Sequence, residues 1–127
     1  MLNLYVDAAR KAETGQSTAG CVVIEAHQQR QLKATLPNTQ DNHEAEFRAA
    51  YWALDQLDGA DPLHLYFDSQ IVVDALNKHY AKHYQDQVDA IDRLLANRPL
   101  VLVSWVPEKN NQGAHHLAQQ ALKKTDH

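Results

Sequence analysis

Cationic residues are in short supply in this chain: 12 Lys and Arg stand against 16 Asp and Glu over 127 residues, a net charge of −4. That balance excludes the broad basic field behind tight, nonspecific DNA coating, so any nucleic-acid contact must come from a local patch. Cysteine is scarcer still. With Cys21 alone, no internal disulfide can form, and its setting in GCVVIEA reads as a strand interior, a core thiol in a reducing compartment. No apolar run approaches the length of a membrane span, and MLNLYVDAARK has no basic segment ahead of its short apolar stretch. A cytoplasmic location without membrane contact is therefore expected. Low-complexity tracts and long linkers are also missing, so one domain over residues 1–127 is expected, with 44% hydrophobic residues to supply its core.

What is present is a change of hydrophobic period along the chain. LNLYVDA, CVVIEAH and QLKATL read as three strands of an antiparallel meander, the last two separated by the polar QQR. From Asn42 the period becomes helical, with Phe47, Ala50, Tyr51, Leu54 and Leu57 at three- and four-residue spacing. Asp41 and Glu44 form a candidate capping box, and Gly59 is a stop. LHLYF is a fourth strand. SQIVVDALNKHYA follows as a helix with Val72, Val73, Leu76 and Tyr80 inward, then a helix over roughly 85–97 carries Val88, Ile91, Leu94 and Leu95. Pro99 ends that helix before the strand PLVLVSWV, and the last helix starts near Gly113 and ends in lysines that suit its C-terminal dipole. The order predicts an α/β sheet of mixed strand direction.

Two strands end in an acid, as LYVD at 4–7 and LYFD at 65–68. If the helix between them is a right-handed crossover, the strands are parallel and both acids leave the same end of the sheet, about 4.8 Å apart if the strands are neighbours. Ligand sites of open α/β sheets favour that carboxyl edge. At about 4 Å and an effective dielectric near 20, two such charges repel by about 4 kcal/mol. A shared proton or a divalent cation must relieve the repulsion. Glu46, in the first turn of the crossover helix, is a third acid within reach of this edge, and three acids favour a metal. Taken singly, Asp68 could cap the helix that begins at Ser69, and Glu46 could complement a helix dipole. Asp7, between a strand and a turn, has no such alternative.

The strand-ending LYVDA, the helix-borne N42-HEA-E46 and the strand-ending YFDSQ together resemble the RNase H superfamily. SWVPEKNNQGAHHLAQQAL is similar to the short-loop ribonuclease HI tail pattern, so the resemblance spans the whole chain. It implies a ribonuclease H-like fold, a mixed five-stranded sheet in order 3-2-1-4-5 with helices on both faces. It further implies hydrolysis of the RNA strand of RNA/DNA hybrids, leaving a 3′-hydroxyl and a 5′-phosphate, by two Mg²⁺ or Mn²⁺ ions about 3.5–4 Å apart. By matched position, Asp7 and Asp68 are metal ligands, Asp7 shared between the ions, and Glu46 serves the second. Asn42 and Gln70 match positions that touch the hybrid's minor groove.

The chain departs from the pattern at the fourth acid, where it carries His115. Ala114, Leu117, Ala118 and Ala121 define the buried face of the last helix. His115 sits at its edge and His116 points nearly opposite. His115 is thus the fourth candidate for catalysis and metal ligation, and packing against Leu122 is its plain alternative. An imidazole suits Mn²⁺ or Zn²⁺ better than Mg²⁺ and removes one negative charge, so a weaker second metal or a lower rate is expected. AARKAETGQSTAG lacks the Gly-Asn-Pro-rich turn common after the first acid. No tryptophan-rich basic protrusion follows the fourth strand, where NKHYAKHYQDQ offers only Lys78, Lys82 and histidines, so modest hybrid affinity is expected. His79 and His83 have a zinc-compatible i,i+4 spacing but no third ligand, which favours a polar face. Tyr5 and Tyr66 suit a wall better than a stacking platform. The competing function is a catalytically degenerate RNase H-fold protein that binds nucleic acid or a protein partner without cleavage.

Overall fold

The computed structural model describes residues 1–124. Three nine-residue strands open the chain: β1 (Leu2–Arg10), β2 (Ser17–Glu25) and β3 (Gln28–Leu36). Then come α1 (Asn42–Asp55), β4 (Leu63–Phe67), α2 (Gln70–Lys78), α3 (Gln85–Leu95), β5 (Val101–Trp105), a short 3₁₀ turn (Glu108–Asn110) and α4 (Gln112–Lys124). The sheet order is β3-β2-β1-β4-β5, as the family resemblance implies. β1, β2 and β3 form the antiparallel meander, while β4 runs parallel to both β1 and β5.

Strand alternation sends side chains to two different layers. Leu4 and Val6 of β1, with Leu63, Leu65 and Phe67 of β4, join Phe47, Ala50, Val72, Leu76, Val88 and Ile91 of the first three helices in the main core. Ala9, on the other face of β1, packs instead with Ala118 and Leu122 of α4. The helices therefore lie on both faces. Cys21 is fully buried, and burial pushes its thiol up to about 12, so at neutral pH it is an inert core residue.

Several local expectations need correction. QQR belongs to β3, and the β2–β3 turn is Ala26-His27, with φ of 46° and 69°. Two consecutive positive φ values match the twist of a tight hairpin. Asp41 is the N-cap of α1 and accepts from the His43 and Glu44 amides. The reciprocal half of the capping box is missing, because Glu44 turns to Arg48 at 2.6 Å and the Asp41 amide donates to Thr39 Oγ1. α1 stops at Asp55, before Gly59, and Tyr51 is exposed. α2 ends at His79 in the left-handed conformation (φ 56°), which leaves Tyr80 outside the helix and exposed.

Candidate active site

The β1–β4 register pairs Val6 with Phe67, so Asp7 and Asp68 are the next residues along two neighbouring parallel strands. Both lie at the carboxyl edge and line one small cavity with Glu46 of α1 and Ser69. Asp68 is not the cap of α2. That role belongs to Ser69, whose side chain accepts from the Val72 amide. Asp68 is instead held by its surroundings. Trp105 Nε1 donates to its carbonyl at 3.1 Å, and the fully buried Asn111 presents Nδ2 to the Val6 carbonyl at 2.9 Å and to Asp68 Oδ2 at 3.5 Å.

Asp7 accepts the Ala8 amide on Oδ1 at 2.9 Å, and His115 Nδ1 lies 3.0 Å from Oδ2. Burial first, and then the neighbouring Asp68 carboxylate, push Asp7 up to about 6 from an ordinary 3.8, against the lowering bonds from His115 and Ala8. Burial also raises Asp68, although Asn111 counters it. His116 is exposed while His115 is half-buried, so the helix turns the two histidines apart as its periodicity predicts.

α4 brings His115 to Asp7 because β2 lets it approach. Gly20 pairs with Asp7 in the β1–β2 register, and a Cβ there would stand 2.3 Å from the Ala114 carbonyl oxygen and 2.6 Å from the Ala118 nitrogen. Thr18 Oγ1 donates to the Ala118 carbonyl at 2.7 Å and fastens the same helix two residues earlier in the strand. Sequence reading alone passes over Gly20, Thr18, Trp105 and Asn111 as positioning residues. For Asn111 the available signal is its matched position in the tail motif.

Asn42 and Gln70 are the first residues of α1 and α2, and both are exposed. Asn42 Oδ1 accepts from Arg10 Nε at 2.6 Å, and Gln70 Nε2 donates to Asp74 at 2.9 Å. His79 does not join His83. The helix ends at His79, whose Nδ1 lies 3.1 Å from both oxygens of Asp92. Tyr5 and Tyr66 stack on each other at 4.4 Å, and Tyr66 also stacks on His64, so these rings occupy one another as a wall.

Among the described residues, no three His, Cys, Asp or Glu side chains are gathered as a ready ion cage. The donor chemistry at the carboxyl edge nevertheless fits a hard divalent cation, which takes oxygen ligands. Glu46 Oε2 is buried without a hydrogen-bond partner, with His43 Nδ1 3.6 Å away, and Asp7 and Asp68 line the same cavity. A buried carboxylate oxygen that accepts no hydrogen bond is costly unless something positive meets it.

A mixed sheet in this order, with acids at the ends of β1 and β4, defines the RNase H-like class. The reverse transcriptase-like family model matches residues 5–121, and the chain belongs to that family within the RNase H superfamily. It is 40% identical to the Enterococcus faecalis protein named "Putative hydrolase EbsB", over 98% of this chain and 96% of the relative. RNase H1 from Halobacterium salinarum shares the fold at TM-score 0.88 and 24% identity, covering 97% of this chain and 98% of that one. LC11-RNase H1, isolated from compost and crystallised with an RNA/DNA hybrid, does so at TM-score 0.86 and 18% identity, with both chains fully covered. No helix among the described residues is long and apolar enough to cross a membrane.

Proposed function

We propose that this chain is a metal-dependent endoribonuclease that hydrolyses the RNA strand of RNA/DNA hybrids. The observation that carries the reading is that Asp7, Glu46 and Asp68 line one small cavity at the carboxyl edge, with Glu46 Oε2 buried and without a hydrogen bond. The RNase H fold shared with a protein crystallised on an RNA/DNA hybrid, and a relative named as a hydrolase, support it.

The three carboxylates would hold Mg²⁺ or Mn²⁺. When bound, the ions supply charge neutralisation at the phosphate and a more acidic water. The chain's own residues set the stage for this. Asn111 ties Asp68 to β1, and the Ala8 amide and His115 fix the two oxygens of Asp7. Asn42 and Gln70, exposed at the starts of two helices, would donate to the hybrid's minor groove. His115 enters the site where an acid stands in the family pattern. With Nδ1 engaged by Asp7, only Nε2 is left for a cation, and imidazole favours Mn²⁺ over Mg²⁺.

The test is cleavage of a labelled RNA/DNA hybrid in Mg²⁺ and, separately, in Mn²⁺. Wild-type cleavage that disappears in Asp68→Asn is expected, as is a gain of Mg²⁺-supported rate in His115→Asp. Undiminished turnover in Asp68→Asn would overturn the assignment. The tie between His115 and Asp7 favours a second reading, a degenerate RNase H-fold protein that binds without cutting. Hybrid binding with no cleavage in either metal, for wild type and His115→Asp alike, would establish it.

A further inference from the structure

Arg10 closes β1 three residues beyond Asp7, on the opposite sheet face, and reaches the start of α1. Its Nε donates to Asn42 Oδ1 at 2.6 Å, while its Nη1 is buried with no hydrogen-bond partner. Among the described residues no carboxylate forms an ion pair with it. A guanidinium with an unanswered donor is costly to hold in place, so the arrangement calls for an anionic or acceptor-rich partner.

The hydrogen bond also settles which way Asn42 faces. Arginine has only donors, so the Asn42 atom that meets Nε must be the oxygen. Its Nδ2 amide is then turned away from Arg10, on an exposed residue at the helix start. The pair presents donors only: an amide for groove acceptors, and a cation beside it in a molecule whose net charge is −4.

We infer that Arg10 is a further substrate-binding residue, which meets a backbone phosphate of the hybrid and positions Asn42 to donate into the minor groove. This rests on the proposed hybrid-cleaving function. In the minor groove, purine N3, pyrimidine O2 and the RNA 2′-hydroxyl oxygen are all acceptors. A donor locked in one orientation reads them without first losing rotamer freedom. Arg10 is partly exposed, so a phosphate can approach the guanidinium from its accessible side, and the planar fork suits it.

The experiment is fluorescence anisotropy of a labelled RNA/DNA hybrid and of the matching DNA duplex in EDTA, over a series of salt concentrations, with folding of each variant checked by circular dichroism. Arg10→Ala is expected to weaken hybrid binding about tenfold and to make the log–log salt slope shallower by about one phosphate's worth. Arg10→Lys keeps the charge and loses the fork, so the slope should survive while the preference for hybrid over duplex falls to the level of Asn42→Ala. Adding Asn42→Ala to Arg10→Lys should then change that preference no further, because coupled residues are not additive. A wild type that binds hybrid, with Arg10→Ala equal to it in affinity and slope, would overturn the inference alone. A wild type that neither binds hybrid here nor cleaves it in Mg²⁺ or Mn²⁺ would overturn the function and the inference together, whereas one that cleaves hybrid with Arg10→Ala equal to it in affinity would overturn the inference alone.

Discussion

Asp7 is the site acid whose chemistry its place in the fold displaces. Its pKa rises from 3.8 to about 6, mainly through burial and then through Asp68. The folded state therefore holds the Asp7 proton more tightly than the unfolded chain does. Between about pH 4 and 6 the folded form carries more proton at this site, so stability falls as pH rises through that window and levels off above it. A shift of about two units corresponds to ~3 kcal/mol at most. Asp7→Asn, which cannot ionise, should melt above wild type at pH 7 in EDTA and match it more closely near pH 4. Thermal melts across that range check this, and a variant less stable than wild type at pH 7 would contradict it. A carboxylate that destabilises its own fold until something positive arrives is what a binding site needs and what a purely structural acid would not show.

At the scale of elements, the site depends on how closely α4 lies against β2. A Cβ on Gly20 would press on backbone atoms of Ala114 and Ala118, which cannot swing aside as a side-chain tip can. Gly20→Ala should therefore cost about 1–3 kcal/mol by overpacking. It should also shift α4 enough to loosen the 3.0 Å approach of His115 to Asp7. Urea denaturation reads the first effect, and loss of the NMR contact between the His115 ring and Asp7 reads the second. A second tie joins the α2–α3 loop to α1, where Tyr84 Oη donates to Asp41 Oδ2 at 2.6 Å. That bond holds Asp41 below the usual carboxylate range and pushes Tyr84 up to about 12. The bond is half-buried, so Tyr84→Phe should lower stability by about 1 kcal/mol, measured as a shift of the urea midpoint. These ties mark the limit of what the sequence reveals. The acids at the ends of β1 and β4 were legible because strand ends and a right-handed crossover obey general rules. So were the sheet order, through the family motif, and the edge position of His115, through helical period. The Ala26-His27 turn was not, because it carries none of the Gly, Asn or Asp that usually announce positive φ. Tyr51 was misplaced because period alone cannot say how wide the buried stripe of α1 is. Gly20 and Arg10 depend on contacts across 94 to 98 and 32 residues of chain respectively, which no local pattern encodes.

The whole molecule lines one small cavity with Asp7, Glu46 and Asp68, and if they hold an ion as proposed, metal binding and folding should be linked. An ion that binds only the folded form stabilises it by RT ln(1 + [L]/Kd), about 2.7 kcal/mol at a hundredfold excess over Kd. Ligation requires ionised carboxylates, and Asp7 ionises with a pKa of about 6. The gain in melting temperature from Mn²⁺ should therefore be small at pH 5 and large at pH 7.5, which is the reverse of the metal-free trend, in which stability declines as Asp7 ionises. Asp68→Asn should abolish most of the Mn²⁺ gain at pH 7.5 while leaving a folded protein. His115→Asp should extend the gain to Mg²⁺ by restoring an oxygen ligand. A Mn²⁺ effect of equal size at both pH values would mean that the ion binds elsewhere. No effect at pH 7.5 in either wild type or His115→Asp would mean that the carboxyl edge holds no ion, leaving the degenerate reading as the one consistent with the fold.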